Sequence, residues 1–216
     1  MITPAARRSL PKPPLLAITD RSRSVRPLPF LIAHLIEGGC RWFSLREKDL
    51  TFRERRALLS EILAIARPAG ALVTVHGDVV AALETGADGV HLQDAGDIAL
   101  VRETLPPESL IGVSCHSAAE MRAAATAGAD YATLSPIFLT SSKPGYGPAL
   151  GVGVLAQVAG SGIPVVALGG VTAENGWSCL AAGASAVAVM GPLMSAREPV
   201  PFTRRLVQSL SETARS

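Results

Sequence analysis

A single-domain α/β fold, the parallel (β/α)8 or TIM barrel, is what this sequence predicts, and three observations predict it. Eight short apolar runs stand near 14–19, 42–46, 71–76, 89–92, 110–115, 131–136, 164–169 and 186–190. They are mostly continuous rather than alternating, as strands buried on both faces are, and helical stretches separate all of them, which calls for a parallel sheet. A joint then recurs. Gly86-Ala87-Asp88-Gly89 precedes Val90, Gly128-Ala129-Asp130 precedes Tyr131, and Gly183-Ala184-Ser185 precedes Ala186, with Glu37-Gly38-Gly39-Cys40 before Trp42 as a looser copy. Each reads as a helix ending on a left-handed glycine and followed at once by a buried strand. The length of 216 residues suits one barrel. An open doubly wound sheet is the alternative, but Ala17-Ile18-Thr19-Asp20 is followed by an Arg/Ser stretch and not by the Gly-x-Gly-x-x-Gly turn that fold uses.

In chain order, residues 1–13 are Pro-rich, carry Arg7 and Arg8, and are expected to form a flexible arm ahead of the barrel domain at 14–216. The second strand runs into Ser44-Leu45-Arg46-Glu47-Lys48. Alternation places Ser44, Arg46 and Lys48 on one face and Leu45 and Glu47 on the other. Two cations on one face at a strand mouth suit a bound phosphate, whereas a solvated strand end is the plain alternative. Amphipathic segments follow over 52–66, 118–127 and 173–182. Strand three ends at His76 beside Gly77. His91 lies inside strand four and is expected to be a satisfied core residue, and His34, on the first helix, is given no role.

Strand five ends in Ser114-Cys115-His116. His116 reaches toward the mouth and can exchange a proton near neutrality, while Ser117 caps the next helix. After strand six a long polar loop carries Thr140, Ser141, Ser142 and Lys143 among turn formers, as a cover for an anionic substrate would. Gly169-Gly170 follow strand seven, and Met190-Gly191 close strand eight. Barrels often hold a phosphate on the backbone N–H groups of these two loops, so Gly169, Gly170, Met190 and Gly191 are the expected phosphate-binding residues. Active sites of barrels form at these strand ends, which makes the site residues one cluster in space.

Composition narrows the partners. Net charge is +2, with 18 % charged and 48 % hydrophobic residues, so nothing demands nucleic acid or a membrane surface. The most apolar segment, over 181–194, is too short and interrupted to span a bilayer. Cys40, Cys115 and Cys179 show neither a disulfide framework nor metal spacing, and with no signal-peptide pattern a cytoplasmic location is expected. No metal-ligand spacing appears, and the acids Asp20, Asp78, Asp94 and Asp97 are scattered.

The chain resembles the thiamine-phosphate synthase/TenI superfamily from Leu15 to Met194. The resemblance rests on Ser44-Leu45-Arg46-Glu47-Lys48, Gly86 to Leu92, Gly112 to Ser117, Pro136 to Pro144 and Leu168-Gly169-Gly170-Val171. It implies one of two thiamine-pathway chemistries on a thiazole phosphate. The synthase joins a pyrimidine methyl diphosphate to the thiazole phosphate with magnesium help. The TenI-type tautomerase aromatises a carboxythiazole phosphate by proton transfer. At the positions where the synthase pattern has Asn-Asp this chain has His76-Gly77, and the next motif runs His91-Leu92-Gln93-Asp94-Ala95-Gly96-Asp97. The expected function is therefore the tautomerase with no cofactor and His116 as acid/base. Ser44, Arg46, Lys48, His76, Ser114, Thr140, Ser142 and Lys143 would contact substrate. A divergent synthase holding magnesium through Asp94 or Asp97 is the alternative, and a precursor-binding protein without activity is the third. The resemblance also implies a homodimer.

Overall fold

The computed structural model describes residues 9–140 and 148–212. Eight parallel strands close on themselves in chain order: β1 Leu15–Ile18, β2 Trp42–Leu45, β3 Leu72–His76, β4 Gly89–Leu92, β5 Leu110–Cys115, β6 Tyr131–Leu134, β7 Val165–Leu168 and β8 Ala186–Val189, which pairs back to β1. This closure excludes the open doubly wound sheet. Helices α1 Leu28–Glu37, α2 Phe52–Ala66, α3 Val79–Thr85, α4 Ile98–Thr104, α5 Ala118–Ala127, α6 Gly153–Val158, α7 Gly176–Ala181, α8 Gly191–Met194 and α9 Pro199–Glu212 surround it. The segment expected over 173–182 is helical only from Gly176, because Asn175 turns back to take the Thr172 N–H and to donate to the Gly170 carbonyl.

Two hydrophobic layers follow from strand alternation. Outward residues such as Phe43, Leu45, Val73 and Val75 pack under the helices in one large cluster. Inward residues Leu16, Ile18, Trp42, Leu110, Tyr131 and Val166 fill the barrel itself. Leu10, within the segment expected to be a free arm, packs against this inner cluster. The three cysteines are buried, unpaired thiols. Among the described residues no helix is long and apolar enough to cross a membrane.

The repeated joint has a job beyond its glycine. Gly86 and Gly128 end α3 and α5 in the left-handed conformation. The acid that follows reaches back to an amide at the start of a neighbouring strand: Asp88 accepts from Val73 N–H at 2.8 Å and Asp130 from Ile111 N–H at 2.7 Å. A carboxylate at that point satisfies a buried donor on the barrel floor and fixes the register of the pair. The opposite, C-terminal end of the barrel is open.

Candidate functional site

That open end holds a cavity of about 690 Å³. Its floor is the uppermost inward layer of the strands: Ile18, His76, His91, Ser114, Thr133, Leu168 and Ala188. Its rim comes from the loops, with Asp20, Arg23, Arg46, His116, Thr140, Gly169, Gly170, Met190 and Gly191. Of the residues expected from sequence, Arg46, His76, Ser114, His116, Thr140, Gly169, Gly170, Met190 and Gly191 are thus brought together. Ser142 and Lys143 lie outside the described residues.

Ser44 and Lys48 do not join them. Ser44 is fully buried in the barrel on the same strand face as Trp42, and its hydroxyl has no partner among the described residues. Lys48 is exposed on a turn and does not line the cavity. Alternation fails there because β2 stops at Leu45, and Glu47 is what bends the chain. Expected to turn outward, Glu47 is instead 3 % exposed and accepts from Thr19 Oγ1 at 2.6 Å and from the Arg21 N–H. Burial pushes its carboxyl above the usual range, against the hydrogen bonds from Thr19 and Arg21. Thr19 Oγ1 in turn accepts from the Arg46 N–H at 2.9 Å. This clasp ties the β1 and β2 loops together and sets Arg46 on the rim. The Arg46 guanidinium makes no hydrogen bond or ion pair among the described residues, so it is available to an anion.

His116 is held differently. Glu120, one turn into α5, accepts from the His116 N–H at 2.8 Å and lies 3.2 Å from its Nδ1. Ser117 caps the same helix by accepting from Glu120 N–H. The ring is oriented on the rim with its side chain about one-third exposed, 33 %, which leaves it able to exchange protons with a bound molecule.

His91 was expected to be a core residue only. It is hydrogen-bonded, but it also forms part of the cavity floor. Its Nδ1 lies 3.1 Å from Tyr131 Oη, its Nε2 lies 3.0 Å from Ser114 Oγ and 3.5 Å from Thr133 Oγ1, and its ring stands 4.5 Å from that of His76. Burial pushes its pKa from 6.5 down to about 3. The unfolded imidazole takes up a proton near 6.5 that the folded one refuses, so this residue lowers stability as pH falls from about 6.5 toward 3. The slope is up to ~1.4 kcal/mol per pH unit. Urea unfolding between pH 7 and 4.5 should show this decline, and His91→Asn should flatten it; an unchanged slope would mean that His91 titrates alike in both states.

The glycine corner is shaped by close approach. Gly169 and Gly170 both have positive φ, at 98° and 64°, and a Cβ at Gly170 would sit 2.5 Å from the Leu139 carbonyl oxygen. Glycine is therefore required here by the close approach of the β6 loop, and both residues line the cavity.

The acids do not gather. Asp78 caps α3 and is ion-paired to Arg55. Asp94 is exposed and accepts from the Gly96 N–H, and Asp97 is exposed at the start of α4. None of the three lines the cavity; Asp20 alone does, accepting from Ser22 Oγ at 2.6 Å. Among the described residues no three His, Cys, Asp or Glu converge as a metal site.

The family described as thiamine monophosphate synthase matches residues 15–193. A thiamine-phosphate synthase of Geobacillus thermodenitrificans is 37 % identical over 201 residues, covering 90 % of each chain. A putative thiamine-phosphate synthase of Geobacter sulfurreducens is 38 % identical over 204 residues, covering 93 % of this chain and 96 % of its own. Among solved structures, a thiamine phosphate pyrophosphorylase from Pyrococcus furiosus superposes with a TM-score of 0.82 at 30 % identity, covering 92 % of this chain and 96 % of its own.

Proposed function

The chain belongs to the thiamine monophosphate synthase family, and we propose that within it this protein is a thiamine-phosphate synthase. The reaction joins a pyrimidine methyl diphosphate to a thiazole phosphate. The names carried by relatives over nine-tenths of both chains support this reading above the tautomerase that the sequence motifs favoured.

In that reading the thiazole phosphate group sits on the backbone of Gly169, Gly170 and Gly191. The pyrophosphate lies toward Arg46 and Arg23, on the loops that follow β2 and β1. The bond from the pyrimidine methylene to oxygen breaks, pyrophosphate leaves with the electron pair, and the thiazole nitrogen's lone pair forms the new carbon–nitrogen bond. Arg46 neutralises charge that develops on the leaving group, which is electrostatic catalysis by a fixed donor. Ser114 and His76 hold the neutral ring at the floor. The metal that the resemblance implies is not matched among the described residues: Asp78, which caps α3 and pairs with Arg55, the exposed Asp94 and Asp97, and Asp20 held by Ser22 do not make an oxygen cage.

One observation favours the second reading. A carboxylate-poor mouth with His116 oriented by Glu120 suits a tautomerase that takes a proton from one carbon of a carboxythiazole phosphate and returns one to another. A two-substrate assay separates the readings. Purified protein with both synthase substrates and magnesium should release pyrophosphate one-for-one with a product of thiamine-phosphate mass. No release, together with aromatisation of the exocyclic thiazole tautomer that is lost in His116→Ala, would replace the first reading with the second.

A further inference from the structure

The polar residues on the barrel axis are joined in a line that neither reading above requires. Tyr131 and His91 both point inward, and Ser114 stands one layer higher on the cavity floor. Tyr131 is wholly buried, seated over Gly112, where a Cβ would come within 2.4 Å of its hydroxyl. Only glycine on β5 leaves space for the phenol at that height. The phenol's other partner is the Thr74 side chain, whose hydroxyl also lies 3.4 Å from the Phe43 carbonyl.

The direction of the line follows from acidity. A neutral imidazole offers one N–H and one lone pair. Its two close neighbours are a phenol, at Nδ1, and an aliphatic hydroxyl, at Nε2. Burial pushes the Tyr131 phenol up from its usual value, but an aliphatic hydroxyl is a weaker acid still, so the phenol is the better donor to the lone pair. Tyr131 O–H then donates to Nδ1, Nε2–H donates to Ser114 Oγ, and the Ser114 proton is left for the cavity. Each bond in such a line polarises the next. The imidazole stays uncharged throughout, as its pKa of about 3 requires.

We propose that Tyr131 and His91 are positioning residues that fix the Ser114 hydroxyl as a donor into the cavity, where it meets an oxygen acceptor of the bound ligand and leaves the thiazole nitrogen's lone pair free. The inference rests on the proposed function only for its choice of probe, thiazole phosphate. Ser114 contacts the ligand; Tyr131 and His91 act through it.

Two measurements on the full chain test this. The first uses no ligand: nitrogen NMR of labelled histidine should show His91 protonated on Nε2 alone and uncharged down to pH 4.5, with the Nδ1 signal displaced in Tyr131→Phe. A proton on Nδ1, or titration near pH 6, would overturn the inference whatever the protein binds. The second is a mutant cycle read by calorimetry with thiazole phosphate. Ser114→Ala should weaken binding roughly fivefold and Tyr131→Phe roughly threefold. The double variant should be no weaker than Ser114→Ala, because the phenol acts through the serine. Additive losses would overturn the relay while leaving the function standing. Failure of the unaltered protein to bind thiazole phosphate would remove the proposed function, and the NMR result alone would then decide the line of donors.

Discussion

Arg46→Ala should lower kcat/KM for the coupling reaction by about two to three orders of magnitude, the cost of removing a charged hydrogen-bonding group from a desolvated anion contact. The folded protein should hardly notice. The guanidinium has no partner among the described residues, and its backbone N–H, the part that the Thr19–Glu47 clasp uses, survives the substitution. Thermal stability should therefore change by no more than about 0.5 kcal/mol. Arg46→Lys should recover part of the rate, since the charge returns without the planar fork. Lys48→Ala is the matched comparison: the same motif, two residues on, but exposed on a turn. Its rate should stay within roughly twofold of the parent. Equal losses at both positions would mean that the rim is not selective in the way Glu47 arranges it. Steady-state kinetics with pyrophosphate detection, alongside thermal melts, reads all three variants.

Gly170→Ala should damage both stability and phosphate binding. Its φ of +64° disfavours any side chain, and the new Cβ would lie 2.5 Å from the Leu139 oxygen and 2.7 Å from Phe138 Cβ. The conformational part costs about 1–2 kcal/mol and the overpacking about as much again. Because Leu139 belongs to the loop that leaves β6, relief would push that loop and the glycine turn apart at the place where the phosphate is proposed to bind. Binding of thiazole phosphate should fall at least about tenfold, in line with a lost charge-assisted contact. Gly128→Ala separates strain from function. Gly128 also has positive φ, at 90°, but nothing lies within 4 Å of its Cβ position and it is remote from the cavity. It should lose about 1–2 kcal/mol of stability and no affinity. A Gly170→Ala protein that kept full affinity would take the glycine loop out of the site.

The barrel was legible because burial on both faces writes itself into sequence. Runs such as Val165-Val166-Ala167-Leu168 have no polar face, and the two Gly-Ala-Asp joints mark where α3 and α5 stop. The strand-end rule then drew His76, Ser114, His116 and the glycines into one place, as the cavity has them. It failed where its geometric premise lapsed. Carrying alternation past Leu45 turned Glu47 outward and Lys48 inward, whereas the strand has ended and Thr19 and Arg21, 28 and 26 residues away, pull Glu47 in. No local pattern encodes such a partner. Thr133 and His91 escaped for another reason: both lie within apolar strands, where a polar residue reads as a satisfied core group. Counting two residues on from Tyr131 would have put Thr133 on the inward face. At the position where the synthase pattern has an acid this chain has Gly77, and Asp78 follows one place later. That Asp78 serves α3 and Arg55 instead became visible only in three dimensions.

The central claim is a thiazole phosphate anchored on the glycine loops, with its ring on the polar floor. A crystal structure of the protein soaked with thiazole phosphate tests it most directly. The account predicts the phosphate within hydrogen-bond distance of the backbone N–H groups of Gly170 and Gly191, and the ring within reach of Ser114 Oγ. A phosphate held at Arg46 with the glycine loops empty would contradict it.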